Sequence, residues 1–159
     1  MNQQLHIREA RSKEAAVILA MQKRAFLVEA VRYNDMTIPP LQQTLEQMHG
    51  DIESMSVLVG LIEGVVVGSV RGRVLQGVCH IGRLMVHSHY HKRGIGGLLL
   101  DAIEQRLGNV DHFELQTGCR SPKNLAFYGN RGYRVVSQEG ILVTMRKASI
   151  SHNKLTQSE

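Results

Sequence analysis

Two cysteines, Cys79 and Cys119, are too few among 159 residues for a disulfide-stapled secreted fold. Apolar runs are short too, none approaching the roughly 18 residues that suggest a membrane span. The opening residues MNQQLHIREA lack the charged-then-apolar pattern of a secretory signal. A soluble, cytoplasmic chain with no membrane partner is therefore expected. Dense runs of lysine or arginine are also missing: the formal charge is +5, but basic residues alternate with acidic ones. With no helix-turn-helix, zinc-finger or aromatic-sheet signature either, a nucleic-acid partner is not expected. A small local patch for a phosphorylated ligand suits this charge better.

What is present is enough for one ordered domain. The apolar fraction of 43% against 21% charged residues excludes a disordered chain. Fifteen glycines, many at the ends of apolar runs, punctuate turns as in a mixed α/β protein. Leu5 and Ile7 share a face of a short strand over residues 4–10. Ser12 can cap a helix to about residue 32, with Ala15, Ile18, Leu19, Ala25 and Val28 on one side. Pro39 and Pro40 end that helical stretch and start the next element, a second helix over residues 41–52. Residues 56–62, 65–74 and 78–87 are rich in Val, Ile and Leu. They are separated by Glu63-Gly64 and Gln76-Gly77, which predicts three antiparallel strands in a row.

Ile95, Leu98, Leu99, Ala102, Ile103 and Leu107 then follow at helical spacing. A strand over 112–117 comes next, and then a helix opened by Pro122 with Gly132 as its C-terminal glycine. A hairpin over 133–136 and 141–146 closes the chain. The order predicts an α/β fold with a central, mostly antiparallel, twisted sheet of about seven strands and about four helices. Residues 1–147 read as a single domain and 148–159 as a polar tail, disordered or a weak partner arm.

Chemistry concentrates in Leu84–Leu100, where a buried strand ends in a polar turn and a glycine-rich loop opens an amphipathic helix. Backbone N–H groups at a helix N-terminus lack partners and the dipole is positive there, so an anion fits. Gly94, Gly96 and Gly97 let the backbone approach it closely. Lys92 and Arg93 add positive charge at an end that usually prefers acids, which points to a ligand. A glycine-rich turn with no ligand is the bland alternative. The loop fits neither a nucleotide-binding P-loop, for want of Gly-Lys-Ser/Thr, nor a dinucleotide fingerprint, since Leu99 stands where glycine belongs.

These residues resemble the GNAT superfamily of acyl-CoA N-acyltransferases. Its signature, Gln/Arg-x-x-Gly-x-Gly/Ala, reads here His91-Lys92-Arg93-Gly94-Ile95-Gly96, with His91 replacing the usual Gln or Arg. The resemblance implies a GNAT-like fold and acetyl-CoA as cosubstrate. Its pyrophosphate would be held by residues 91–97, with the backbone of Leu84, Met85 and Val86 pairing with the pantetheine arm as an added strand would. A second matching stretch runs from Ser121 to Tyr128 and on to Gly132-Tyr133. Asn124 and Tyr128 are four apart and share a helix face. The resemblance makes Tyr128 the general acid that protonates the departing thiolate, and either Ser121 or Asn124 a cofactor contact.

Other chemistries fit less well. His87, His89 and His91 alternate, with His80 nearby, but no Cys or carboxylate cluster completes a zinc site, so no metal is expected. Cys119 has no base placed to activate it. A base for the acceptor amine is sought among Glu114, His80 and Glu29. Glu29, Tyr33 and Asp35, between the first two helices, could recognise a cationic amine or be solvated charges. The expected activity is acetyl transfer from acetyl-CoA to a primary amine, by direct transfer, with a small-molecule acceptor favoured. The alternatives are a protein N-terminus or lysine as acceptor, or an acyl-CoA sensor without turnover. The expected partners are that amine and at most a second copy of the chain as a homodimer.

Overall fold

The computed structural model describes residues 4–150. Seven strands form one sheet in the order β1-β2-β3-β4-β5-β7-β6, with five helices. The strands are β1 Leu5–Glu9, β2 Ser56–Ile62, β3 Val65–Leu75, β4 Val78–Val86, β5 His112–Gly118, β6 Arg134–Glu139 and β7 Leu142–Ala148. The helices are α1 Ala15–Arg32, α2 Pro39–Gln42, α3 Leu45–Ser54, α4 Ile95–Arg106 and α5 Pro122–Asn130. The pairs β1–β2, β2–β3, β5–β7 and β6–β7 are antiparallel, and β4–β5 is parallel over Val78, Cys79 and His80. Contacts group into two compact units: residues up to Gly72 with Arg83–Ile103, and Arg73–Gly82 with residues from Glu104 on.

In the first unit, helix α1 does not begin on Ser12. A single 3-10 turn, Ser12–Glu14, precedes it. The Glu14 carboxylate accepts the Arg11 N–H at 2.7 Å and two bonds from the Arg8 guanidinium at 2.8 and 2.7 Å. It thus anchors the helix start to β1, and the Arg8 bonds hold its pKa below the usual glutamate value. Ala15, Ile18 and Met21 of α1 pack with Met48 of α3 and with Val57, Val59, Leu61 and Met85. Val28, expected on that face, is 61% exposed. Ala30, further along the helix, is buried instead, so the buried side departs from the face that periodicity marks.

The single second helix expected over 41–52 is two. Pro39 opens α2, and Gln43 and Thr44 are extended. Thr44 then caps α3 by accepting the Gln47 N–H at 3.1 Å, while the Gln47 side chain accepts the Thr44 N–H at 2.9 Å. That reciprocal box restarts the helix. Leu98 is another departure: it is exposed, while Ile95, Leu99, Leu100 and Ile103 of α4 are buried. The close seat of α4 is set by Gly68. A Cβ there would lie 2.8 Å from Leu99 Cδ1 and 3.0 Å from the Met85 carbonyl oxygen.

The second unit is built on β5 and β7, which alternate as half-buried strands do: Phe113, Leu115, Val143 and Met145 point inward. Helix α5 ends in a Schellman motif at Gly132, whose φ is +95°. Its N–H donates to Gly129 O at 3.1 Å, and the Tyr133 N–H donates to Tyr128 O at 3.1 Å. The turns expected at Glu63-Gly64 and Gln76-Gly77 each show positive φ at both residues, as a two-residue hairpin requires. Residues 148 and 149, expected in the tail, are held by the second unit. Ala148 ends β7, and the buried Ser149 donates its N–H to Asp111 O at 3.1 Å. The rest of that expectation lies outside the described residues.

Replacing Gly68 with Ala forces β3, the Met85 backbone or Leu99 to move. We expect a loss of about 1–3 kcal/mol, as for other overpacked sites. Urea unfolding measures it, and an unchanged midpoint would mean that α4 is not seated on this glycine.

Candidate active site

Strand β4 ends at Val86, and one 3-10 turn, Ser88–Tyr90, leads into the glycine-rich loop. The loop needs two left-handed residues, Lys92 at φ 65° and Gly94 at φ 76°. For lysine that is a strained conformation, worth of order 1–3 kcal/mol, of the sort that collects at ligand-binding turns. At Gly94 a Cβ would meet nothing within 4 Å, so the glycine serves conformation and approach from outside, not packing. The first amide to bond back into α4 is Leu98, donating to Gly94 O at 3.1 Å. The amides before it lie outside the helical ladder, as any helix start requires. His91, Lys92, Arg93 and Gly94 are exposed, Gly96 is half-buried, and Ile95 and Gly97 are buried. The Arg93 guanidinium sits 5.1 Å from the centre of the Tyr90 ring.

The histidines flanking the loop have local work. The His91 Nε2–H donates to Val86 O at 2.8 Å, tying the loop to the end of β4. His87 stacks on His89 at 5.0 Å, and its Nδ1 accepts the His89 N–H. Among the described residues no three His, Cys, Asp or Glu side chains are grouped to hold a metal ion. On β4, Met85 is in the core, while Leu84 and Val86 are half-buried.

In the second unit, α5 presents Tyr128 at the third position from its C-terminal turn, where the Schellman motif fixes it against Tyr133. The two rings meet edge-on at 5.9 Å, and Phe127 meets Tyr128 at 5.1 Å. Burial pushes the Tyr128 phenol up to about 12, so it is protonated at neutral pH. Its hydroxyl has no hydrogen-bond partner among the described residues. Tyr133 differs in this respect. It is 2% exposed, and its hydroxyl donates to Glu104 Oε2 at 2.8 Å, while Lys147 Nζ donates to Glu104 Oε1 at 2.7 Å. Tyr133 is thus committed to packing and Tyr128 is not. Asn124 donates to Thr117 Oγ1 at 3.3 Å, and Ser121, just before α5, is buried.

Two of the three base candidates meet. His80 and Glu114 are register partners on β4 and β5, with His80 Nδ1 3.1 Å from Glu114 Oε2. Arg146 Nε donates to the other carboxylate oxygen at 3.0 Å. Glu29 instead pairs with Arg32 at 2.9 Å, one turn along α1. Asp35 accepts the Thr37 N–H at 2.8 Å and its hydroxyl as well, which closes a local turn and lowers the Asp35 pKa. An open depression of about 390 Å³ in this unit is lined by Asp111, His112, Arg134, Val135, Arg146 and Lys147 among others, and includes none of the residues singled out from the sequence.

One polar cluster in the first unit has no motif that foretells it. Arg71 on β3 forms an ion pair with Asp51 on α3. Gln43 also donates to Asp51, and fully buried Gln22 donates to Gln43 Oε1 at 2.8 Å and to Pro40 O at 3.0 Å. Arg83, at φ 53° on β4, lies 5.9 Å from the Phe26 ring centre. The available signals were single charges inside apolar strand runs, Arg71 and Arg83, and a glutamine on the buried side of α1.

A family model described as the acetyltransferase (GNAT) family matches residues 24–133. No curated protein sequence matches significantly. Among solved structures, PaiA N-acetyltransferase from Thermoplasma acidophilum, in complex with coenzyme A, superposes with a TM-score of 0.80 at 14% identity, over 91% of this chain and 99% of that one. The ribosomal-protein-S18-alanine N-acetyltransferase of Escherichia coli gives 0.73 at 13% identity, over 92% and 94%. Ribosomal-protein-alanine N-acetyltransferase from Brucella melitensis gives 0.69 at 24% identity, over 90% and 99%. At these identities the structures establish the shared fold. Among the described residues no helix is long and apolar enough to cross a membrane. With its family model spanning well over half the sequence and its sheet and helices in the same arrangement, the chain belongs to the GNAT family of acetyltransferases.

Proposed function

We propose that this enzyme moves an acetyl group from acetyl-CoA directly to the primary amine of a small molecule, with Tyr128 as the general acid. The observation that carries the reading is the Tyr128 hydroxyl: half-buried, protonated at neutral pH and with no partner among the described residues. As the amine nitrogen bonds to the thioester carbon and the C–S bond breaks, Tyr128 gives its proton to the sulfur. The phenolate that forms is reprotonated from solvent. The proton lost by the amine passes to a base among Glu114, His80 and Glu29. His80 with Glu114 behind it is the best-built choice, because the carboxylate orients the imidazole.

Residues 91–97 hold the pyrophosphate in this scheme. Left-handed Lys92 and Gly94 shape the loop, the amides of Ile95, Gly96 and Gly97 supply donors, and Lys92 and Arg93 supply charge. Leu84, Met85 and Val86 offer backbone groups to the pantetheine arm, and Ser121 or Asn124 adds a side-chain contact. Glu29, Tyr33 and Asp35 line the acceptor side. Glu29 would exchange its Arg32 pair, and Asp35 its Thr37 bonds, for the amine.

Gly94→Asp or Gly96→Asp puts a carboxylate where the pyrophosphate is to sit. Aspartate tolerates the left-handed backbone needed at residue 94, so the fold should survive. We expect acetyl-CoA affinity to fall at least roughly tenfold, about 1.4 kcal/mol. Unchanged affinity by calorimetry on the folded variants would remove the loop from the site.

Tyr128→Phe keeps the ring packing and deletes the donor. Thiol release from acetyl-CoA, measured across a panel of amines, peptides and aminoglycosides, identifies a substrate first. On it, kcat should fall about 10²-fold with little change in acetyl-CoA affinity, the mark of an interaction made mainly in the transition state. Parental turnover by the variant with chemistry rate-limiting would make Tyr128 a packing residue. Tight acetyl-CoA binding with no acceptor in the whole panel would favour a sensor.

A further inference from the structure

The charges of the first unit do not balance beside β4. Two guanidiniums, Arg71 and Arg83, share the field of one carboxylate, Asp51. That carboxylate is already committed, since Arg71 and Gln43 both donate to the same oxygen. Gln43 is held in turn by Gln22, which is buried and oriented by its second bond to Pro40 O. The network therefore holds Arg71 on Asp51 Oδ2, and Arg83 forms no ion pair with that carboxylate.

Arg83 itself is half-buried, and its one ring contact is the face of Phe26. Among the described residues no group accepts a hydrogen bond from its guanidinium. Burial and the nearby Arg71 bring its pKa down to about 10 in spite of Asp51, which still leaves it cationic at neutral pH. A partly desolvated cation without acceptors is costly, and so is a non-glycine residue at positive φ. Both costs fall on the residue just before Leu84, Met85 and Val86, the stretch to which the acyl arm is assigned.

We propose that Arg83 binds a carboxylate of the acceptor, so that the substrate is an amine carrying a carboxylate rather than a polycation. Two positive charges against one negative leave a surplus of one, which a monoanionic carboxylate neutralises and a phosphate dianion exceeds. The planar guanidinium fork matches a carboxylate bidentately, and Phe26 fixes its plane from one side. This inference rests on the acetyl-transfer reading for its substrate class. It adds a carboxylate contact to the cationic-amine recognition proposed for Glu29, Tyr33 and Asp35.

The test pairs α- and ω-amino acids and short peptides with their carboxamides. For each pair, kcat/KM is measured with acetyl-CoA, and binding is measured by calorimetry in the presence of coenzyme A. For at least one pair the parent should favour the carboxylate at least about tenfold, expressed in KM. In Arg83→Met, which keeps a stem against Phe26, that ratio should fall close to one. Arg83→Lys, keeping the charge without the fork, should lie between, and serves as the test if the Met variant does not fold. Equal or better use of the carboxamides throughout the panel by the parent would overturn the proposal, as would a preference that survives the loss of Arg83. Carboxylate-selective, Arg83-dependent binding without any turnover would uphold the anion site and sink the transferase reading instead.

Discussion

A helix cannot begin without leaving backbone N–H groups that its own carbonyls do not reach, and the architecture turns on where α4 spends this deficit. The helix starts within nine residues of the end of β4, from a loop forced into shape by Lys92 at φ 65° and Gly94 at φ 76°. No acidic side chain occupies its first turn, so the protein does not answer the deficit from within the helix. Gly68, on β3, lets Leu99 of α4 settle on that strand at a distance no larger residue permits. The His91 imidazole fastens the loop to the last carbonyl of β4. Strand, loop and helix are thereby held as one corner, the proposed seat of the pyrophosphate.

The second unit solves a different problem, keeping one tyrosine available while burying another. Gly132 ends α5 with a Schellman motif that clamps the backbone of Tyr128 and brings Tyr133 against it edge-on. Glu104 and Lys147 then satisfy the Tyr133 hydroxyl. Packing an aromatic pair at a helix end gives the outer phenol a rigid seat without taking its proton. Moving Tyr128 one position along α5 would rotate it off that seat by about 100°, the angle per residue of an α-helix.

Features carried by local pattern were legible in the sequence. The Glu63-Gly64 and Gln76-Gly77 turns, the Pro122 opening and the Gly132 stop each depend on backbone chemistry within a few residues, and each is where it was expected. So is the glycine loop. Patterns that depend on tertiary context misled. Val28 and Leu98 fall on helical spacing yet lie outside the core, because the width of the buried face is set by the packed neighbours and not by spacing. Thr44 splits the second helix through a box with Gln47 that apolar spacing does not register. His80 and Glu114, named separately as bases, become one pair only through the parallel register of β4 and β5. The Arg71–Asp51–Gln43–Gln22 network joins β3, α3, α1 and the link between α2 and α3, and no local motif announces it.

The central claim is that the start of α4 receives the pyrophosphate of acetyl-CoA. Backbone ¹⁵N–¹H spectra across an acetyl-CoA titration test it most directly, because they report the amides themselves. The account predicts that the resonances of Gly94, Ile95, Gly96 and Gly97 shift most and saturate together, with slowed exchange of those amides with solvent. Saturable binding that leaves these four resonances in place while others shift would contradict it.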